Sequence, residues 1–211
     1  MKLKAFLSDF DGTLVTSDVL DIVCGIVGKE EESKKLNQDF FEGKISGRES
    51  LIKRVNLLKG VSIDQISQVF SKKNHLRKGA GKLFNYLNSK NILTILYSGN
   101  IIPILKCYQN TLGITYVVGT QPKMKGNVIL SLSNEDFTSK SHKLDGIKKI
   151  LKENKIDSTG IMAIGDSPAD KPIFEFATKS IAINPKGDIE NYADFVIKDD
   201  LSKVIKIIED L

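Results

Sequence analysis

The stretch LSDFDGTLV, residues 7 to 15, follows the apolar segment Leu3 to Leu7 and carries two aspartates that are separated by one residue. Like charges at this spacing repel each other, so a buried strand that ends on them needs a stabilising partner. A bound cation, a catalytic role or a plain surface turn at Gly12 would each explain the arrangement. The residues that the rest of the chain brings to this point decide among the three.

The composition is that of a globular protein. The 211 residues are 41% hydrophobic and 27% charged, which suits one substantial core with a modest insertion. The net charge of +5 comes from 31 basic and 26 acidic residues scattered along the chain, without the basic run typical of a nucleic-acid arm. We therefore expect no nucleic-acid partner, and the mildly positive field favours small anionic substrates.

Cysteine usage and the N-terminal residues bear on the compartment. Cys24 and Cys107 lie in predicted helices among apolar neighbours, which is typical of core packing and not of a disulfide framework. Residues 1–10 are expected to form a strand that ends on an acid, not a signal peptide, and no apolar run approaches the ~20 residues of a membrane span. The sequence predicts a soluble, cytoplasmic protein with no membrane partner, and it leaves the oligomeric state open.

Short apolar runs without alternation recur along the chain, and such runs are typical of strands buried on both faces. The predicted strands are Leu3–Ser8, Ile92–Tyr97, Thr115–Val118, Gly160–Ile164, Ser180–Ile183 and Phe195–Ile197. Between them lie helical patterns with one apolar face. This alternation predicts an α/β fold with a doubly wound, Rossmann-like parallel sheet that helices cover on both sides.

Two intervals depart from this alternation. Residues 16–75 hold amphipathic segments and no convincing strand, so we predict an inserted helical bundle, or cap, between the parts of an α/β catalytic core formed by residues 1–15 and 76–211. In Tyr116–Ser131, the stretch TQPKMKGN separates two extended runs. This second interval predicts a β-hairpin beside the sheet.

Candidate site residues follow several of the predicted strands, at the carboxyl edge where ligands of such sheets bind. They include two acids after the first strand, a Ser-Gly-Asn stretch after the second, a lysine before the helix that leads to the fourth, and the stretch GDSPAD after that strand. In chain order they are Asp9, Asp11, Ser98, Gly99, Asn100, Lys143, Asp166 and Asp170. The coincidence of four acids, a hydroxyl and a lysine on one rim is more informative than any single motif.

These residue types favour phosphoryl transfer around a divalent cation. Clustered carboxylates need a positive partner, and Mg²⁺ prefers such hard oxygen ligands. Asp9 would stay ionised and attack phosphorus, while the cation and Lys143 offset the charge of the transferring group, and Ser98 with nearby backbone N–H groups holds phosphate oxygens. If the backbone is still extended, Asp11 lies on the same side as Asp9. It would then protonate the leaving oxygen and later activate water, which requires surroundings that let this carboxyl share a proton at neutral pH.

The stretches DFDGTLV, YSGN and GDSPAD, with Lys143, resemble the four motifs of the haloacid dehalogenase superfamily of aspartate-nucleophile phosphatases in order and spacing. The resemblance covers nearly the whole chain. It implies an aspartyl-phosphate on Asp9, Asp11 as acid and base, phosphate binding by Ser98 and Lys143, and a cap that covers small substrates. The Mg²⁺ ligands that it implies are Asp9, the Asp11 carbonyl and Asp166, with Asp170 supporting the metal directly or through water.

Within this superfamily the insertion is similar to the cap of the phosphoserine phosphatases. The stretch EGKISGRESLIKRVNLLKG resembles the segment with their substrate-binding arginine, which implies Arg54, and Asp18 stands where they usually have a glutamate that faces the substrate amine. An arginine for a carboxylate and an acid for an ammonium suit phosphoserine. Three departures alter this pattern: Asp18 is one methylene shorter than glutamate, Asn100 replaces a usual glycine, and Ala169 replaces a customary asparagine.

The sequence therefore predicts a Mg²⁺-dependent phosphomonoester hydrolase that acts on a small phosphorylated metabolite, with phosphoserine as the leading substrate. Two alternatives stay open: a capped phosphatase of the same superfamily for a sugar phosphate or salvage intermediate, and a weakly active phosphate-binding or regulatory module. An EF-hand is disfavoured because Phe10 separates the acids. A Ser–His–Asp hydrolase is poorly supported because the chain has two histidines and one of them, His75, lies at the junction of the predicted cap and core. A P-loop kinase is disfavoured because GIVGK at residues 25–29 lacks the P-loop spacing.

Overall fold

The structure, a computed structural model, describes residues 2–73, 75–137 and 142–211. The strands in these ranges are β1 (Ala5–Asp9), β2 (Leu93–Ile101), β3 (Tyr116–Thr120), β4 (Lys123–Lys125), β5 (Val128–Ser131), β6 (Ile161–Gly165), β7 (Lys179–Ile183) and β8 (Phe195–Ile197). The α-helices are α1 (Val19–Cys24), α2 (Glu30–Phe41), α3 (Gly47–Leu57), α4 (Ile63–Lys72), α5 (Ala80–Ser89), α6 (Ile102–Leu112), α7 (His142–Glu153), α8 (Lys171–Phe176) and α9 (Lys203–Glu209).

A parallel sheet with the strand order β3-β2-β1-β6-β7-β8 forms the centre of the molecule. Counted without the hairpin strands, this is the 3-2-1-4-5-6 order of a doubly wound α/β fold. The predicted fold class and all six of its strands are confirmed, with shifts of a few residues at the strand ends. β1 lies between β2 and β6, so the carboxyl ends of these three strands meet at one edge.

Helices cover both faces of the sheet because alternate strand residues point to opposite sides. On β1, Phe6 joins an apolar cluster with residues of α5, α6 and α9. Its neighbours Ala5 and Leu7 join a second cluster with residues of α7 and α8. Every described helix is too short or too polar to cross a membrane.

The interval between β1 and β2 is helical, as its amphipathic pattern predicts. Ser46 caps α3 through the Glu49 N–H, and Ser62 forms a reciprocal capping box with Gln65 at the start of α4. The rings of Phe70 on α4 and Tyr108 on α6 lie 5.2 Å apart. These contacts fix where each helix begins and attach α4 to the helix layer on the sheet.

The predicted hairpin is present, but its strands differ from those expected. Tyr116–Thr120 belongs to the parallel sheet as β3, and β5 pairs antiparallel with β4, which lies inside the stretch expected to be the connection. β4 is the short polar sequence Lys-Met-Lys, so it has no apolar pattern that would predict a strand. Backbone bonds from Gly60 to Ile129 and from Ile129 to Val61 tie the hairpin to the chain between α3 and α4.

Candidate active site

The backbone turns directly after β1. The Phe10 carbonyl accepts hydrogen bonds from the N–H groups of Leu14 (3.0 Å) and Val15 (3.1 Å). The strand therefore ends at Asp9, and Asp11 lies in the turn that follows Phe10. Gly12 has a φ of +82°, and a Cβ at this position would overlap the Asp166 carboxylate, so glycine is required here.

Three buried carboxylates meet at the carboxyl ends of β1 and β6. Asp9, Asp166 and Asp170 each offer an oxygen that lies within 4.8 Å of the others. Asp166 Oδ2 is buried and accepts no hydrogen bond from the described residues, although Lys186 Nζ lies 2.7 Å away. Three carboxylates this close form a set of hard oxygen ligands that suits a divalent cation of the Mg²⁺ class, although Lys186 pairs with one of these oxygens here.

Asp170 braces the loop that carries Asp166. Its Oδ2 accepts the N–H groups of Asp166 and Ser167, each at 3.1 Å, and its Oδ1 accepts the Tyr97 hydroxyl at 3.1 Å. Burial raises the pKa of Tyr97, so this hydroxyl stays protonated and able to donate. A Cβ on Gly165 would overlap the Asp170 carboxylate, which explains the glycine at the end of β6.

Asp11 lies apart from the three clustered acids and contacts β2. Ser98 Oγ donates to its Oδ2 at 2.8 Å, and Asn100 Nδ2 approaches its Oδ1 at 3.4 Å. Burial, with the neighbouring charge of Asp18, raises the pKa of Asp11 to about 6, and these two hydrogen bonds oppose the rise. The carboxyl thus has the surroundings that proton sharing requires.

The Ser98–Asn100 stretch lies within β2 instead of after it. The register between β2 and β3 shifts between Tyr97 and Ile101, which marks an irregular segment of the strand. The Ser98 hydroxyl accepts the Asn100 N–H at 2.8 Å. This local bend turns the stretch towards Asp11, and it brings Asn100, one of the departures from the family pattern, into contact with that acid.

Two lysines supply positive charge near the carboxylates. Lys143 lies in the first turn of α7 and not before it, and its Nζ is 5.7 Å from the centre of the Tyr97 ring. Burial and the Asp170 charge raise the pKa of Asp9, whereas the charge of Lys143 lowers it. Lys186 was not predicted, although it follows β7 and the rule that directs attention to strand ends would have found it.

The helical side of the site centres on Arg54 of α3. This side chain is 7% exposed, and its Nη2 donates to Asp18 Oδ1 at 2.5 Å and Asp21 Oδ1 at 2.8 Å. Its Nε donates to Ser33 Oγ at 2.9 Å. The two residues predicted to bind opposite ends of a substrate, Asp18 and Arg54, are therefore in direct contact. Asp21 and Ser33 were not predicted, because polar residues in amphipathic helices are usually on a solvated face.

Asp18 is held by several further bonds. Its Oδ1 accepts the N–H groups of Leu20 (3.0 Å) and Asp21 (3.1 Å), which makes it the N-cap of α1. Its Oδ2 accepts Asn37 Nδ2 at 3.0 Å. A short acid is typical of an N-cap, so the departure from glutamate at this position has a local structural reason.

One cavity of about 760 Å³ lies between the strand ends and helices α1 to α3. The candidate residues that line it are Asp11, Asp18, Arg54, Gly99, Asn100, Lys143, Asp166 and Ala169. Ser98 and Asp9 are buried and do not line it, and the first contacts Asp11 while the second lies beside Asp166. Phe40 and Phe41 of α2 form an apolar part of the same lining.

Comparison with known proteins places the chain in a family. Residues 6–175 match the haloacid dehalogenase-like hydrolases, and because this match spans most of the chain, the chain belongs to that family. It is 29% identical over 209 residues to phosphoserine phosphatase of Methanocaldococcus jannaschii, with 99% of both sequences covered. It is also 29% identical to phosphoserine phosphatase of Campylobacter jejuni subsp. doylei, with 98% of this chain and all of the relative covered.

Solved structures give the same result. A substrate-bound phosphoserine phosphatase complex is 28% identical, with a TM-score of 0.81 and 99% of both chains covered. A phospho-aspartyl intermediate analogue of phosphoserine phosphatase is 27% identical, with a TM-score of 0.78 over 99% of this chain and 100% of the other. The predicted class, a phosphatase that resembles the phosphoserine phosphatases, is confirmed.

Proposed function

We propose that the chain hydrolyses phosphoserine through an aspartyl-phosphate on Asp9, with Mg²⁺ as its cofactor. The proposal rests on one observation. Asp9, Asp166 and Asp170 each place a carboxylate oxygen within 4.8 Å of the others, beside the cavity that Asp11 lines. Repulsion among these acids is relieved by a cation, and a phosphate ester brings oxygens that the same cation can share.

The reaction has two steps. A carboxylate oxygen of Asp9 forms a bond to phosphorus while the ester bond breaks, and Asp11 gives its proton to the departing oxygen. Asp11, now ionised, takes a proton from water, whose oxygen bonds to phosphorus as the bond to Asp9 breaks and inorganic phosphate leaves. The raised pKa of Asp11 supports the first of its two roles.

Other residues bind the phosphate and the cation. Lys143, the Ser98 hydroxyl and the backbone N–H of Gly99 hold phosphate oxygens, which keeps phosphorus in line with Asp9. Asp9, the Asp11 carbonyl and Asp166 would hold Mg²⁺, with Asp170 supporting the loop behind them. When bound, the ion supplies positive charge that offsets the charge of the phosphoryl oxygens.

The contact between Asp18 and Arg54 supports phosphoserine as substrate. An α-amino acid carries an ammonium and a carboxylate on one carbon, so its two charges are adjacent. Asp18 Oδ1 and Arg54 Nη2 lie 2.5 Å apart and present adjacent opposite charges at the cavity. The ammonium binds beside Asp18 and the carboxylate beside Arg54, so that charges alternate in sign.

We also propose that residues 16–75 act as the cap over a core of residues 1–15 and 76–211. Helices α1, α2 and α3 supply one wall of the cavity, and the strand ends supply the other. A substrate between the two walls is shielded from water, which strengthens the electrostatic contacts made there.

One feature favours a second candidate, a phosphate ester with a bulkier apolar group. Phe40 and Phe41 line the cavity, and the Phe41 residue is 76% exposed. An apolar substrate group would cover this ring and gain from the burial. A panel of phosphate esters assayed with purified protein and Mg²⁺ separates the candidates.

We expect kcat/KM for phosphoserine to exceed that for phosphoethanolamine and a hexose phosphate by at least about tenfold, since a site built for charged groups rejects analogues that lack them. A preference for an aryl phosphate would replace phosphoserine by the second candidate, and a preference for a hexose phosphate would favour a capped phosphatase for sugar phosphates. Failure to release phosphate from any ester would leave the binding or regulatory module.

A further inference from the structure

Behind Arg54, away from the cavity, lies a second polar pair formed by Asp21 of α1 and Ser33 of α2. Asp21 is 6% exposed and Ser33 is fully buried, and neither lines the cavity. Ser33 Oγ donates to Asp21 Oδ1 at 2.5 Å. Arg54 joins both, through Nη2 to Asp21 and through Nε to Ser33. Three helices therefore contribute one side chain each to a closed set of hydrogen bonds.

The pair holds Arg54 through Nε and through Nη2, the nitrogen that also donates to Asp18. Asp18 has a half-exposed side chain and lines the cavity, whereas Asp21 is buried with Arg54. Bonds at both Nε and Nη2 fix the plane of the guanidinium, because this group presents its N–H donors in a rigid fork. With Asp18 alone, the guanidinium could rotate about a single contact.

Stability alone does not account for this pair. A buried ion pair is often no more stabilising than apolar residues of the same volume, because both charges lose their hydration. Burial raises the pKa of Asp21, against the opposing influence of Ser33 and Arg54, so the carboxylate is costly in its position. Its direct bond to Arg54, which lines the cavity, points to a role in the orientation of that residue.

We propose that Asp21, together with Ser33, is a positioning pair that sets the direction in which Arg54 presents its guanidinium to the carboxylate of the substrate. This rests on the proposed function, since that function assigns Arg54 to the carboxylate. Neither residue touches the substrate. The pair determines specificity through Arg54 and leaves phosphoryl transfer on Asp9 unaffected.

The test compares two substrates in Asp21→Asn and Ser33→Ala, with Glu31→Gln as a matched control that removes an exposed acid from α2. Loss of a charge-assisted bond to Arg54 should raise KM for phosphoserine roughly tenfold in Asp21→Asn, with kcat changed less than about twofold. For phosphoethanolamine, which lacks the carboxylate, KM and kcat should each change less than about twofold. Ser33→Ala leaves no charge unpaired. It should also raise KM for phosphoserine and spare phosphoethanolamine, but the rise should be smaller than in Asp21→Asn.

A second measurement is independent of any substrate. In the wild-type protein the Nε–H of Arg54 is bonded to a buried hydroxyl, so its NMR signal should exchange slowly with water, and either variant should accelerate this exchange by about tenfold or more. If wild-type protein fails to hydrolyse phosphoserine, the proposed function fails, and the exchange rate alone decides the positioning role. Equal losses on both substrates, or an unchanged exchange rate in a folded variant, would overturn the inference.

Discussion

Asp9 and Asp11 show how the surroundings of a residue give two identical side chains different roles. Asp9 lies with Asp166 and Asp170, where burial and the Asp170 charge raise its pKa and Lys143 lowers it, so a cation bound among these acids would favour its ionised form. Asp11 instead accepts hydrogen bonds from β2 and has a pKa of about 6. When two carboxyl groups have different surroundings, they differ in how readily they hold a proton, and this difference is the usual basis for assigning one as nucleophile and the other as acid.

Asp11→Asn should lower kcat for phosphoserine by at least about a hundredfold, because the leaving alkoxide and the attacking water both lose their proton-transfer partner. The loss should be smaller for p-nitrophenyl phosphate, whose leaving group departs without a proton. Steady-state phosphate release measures both, with Asp64→Asn on α4 as the control. Equal losses on the two esters would remove Asp11 as the acid of the first step.

Arg54→Lys tests recognition of the carboxylate without leaving Asp21 beside an uncharged residue. Lysine keeps the charge but loses the planar fork that binds a carboxylate in two places. We expect kcat/KM for phosphoserine to fall at least about tenfold and that for p-nitrophenyl phosphate to change by less than about threefold. Parallel losses on both esters would contradict the assignment of Arg54 to the substrate.

At the scale of elements, the ends of β1 and β6 determine the site. Gly12 and Gly165 each leave room for a carboxylate that a Cβ would displace, Asp166 in the first case and Asp170 in the second. The same strand ends carry Asp9 and Asp166. The two glycines that let these loops pack closely therefore also fix the positions of the acids.

Gly165→Ala should push Asp170 aside and disturb the loop that carries Asp166. We expect Mg²⁺ affinity to fall at least about tenfold, as for substitutions of residues that support metal ligands. Isothermal titration measures the affinity. Gly81→Ala on α5 is the matched control, since a Cβ there meets nothing within 4 Å and alanine suits a helix. Unchanged affinity in Gly165→Ala would show that Asp170 has no part in the metal site.

Elements with a strong apolar pattern could be predicted from the sequence. The six parallel strands are apolar runs, so their hydrophobicity predicts them, whereas β4 is a short polar sequence with no such pattern. The turn at Phe10 depends on backbone bonds to Leu14 and Val15, which no residue pattern at Asp9–Asp11 reveals. The candidate residues at strand ends share a rim because of sheet topology, which the alternation of elements indicates.

The polar contacts behind Arg54 could not be predicted, for a different reason. Asp21, Ser33 and Arg54 lie on separate helices, and they meet only when α1, α2 and α3 pack together. Each is a polar residue in an amphipathic segment, where a solvated face is the ordinary expectation. Their burial is a property of the assembled bundle and not of any one helix.

At the scale of the whole molecule, the site joins distant parts of the chain. The cavity lies between α1–α3 and the ends of the central strands, and the hairpin and α4 attach the helical interval to the sheet layers. A cation bound by Asp9 and Asp166 would cross-link β1 and β6. Its binding should therefore stabilise the folded protein as a whole.

Excess Mg²⁺ should raise the melting temperature of the wild-type protein by about 5–10 °C, since a ligand at ~100 times its Kd adds about 2.7 kcal/mol to the free energy of unfolding. EDTA should reverse the rise and stop phosphate release. Asp166→Asn should melt at the same temperature with and without Mg²⁺. An equal Mg²⁺-dependent shift in this variant would show that the cation binds elsewhere.

During turnover the phosphoryl group should be carried by Asp9. Rapid quenching of the enzyme with its substrate, reduction of the acyl phosphate with borohydride and mass spectrometry of the peptides test it directly, because reduction converts a phosphorylated aspartate into homoserine. We predict homoserine at position 9 in wild-type protein and none in Asp9→Asn. Homoserine at another aspartate, or unmodified Asp9 in an enzyme that is turning over, would contradict the account.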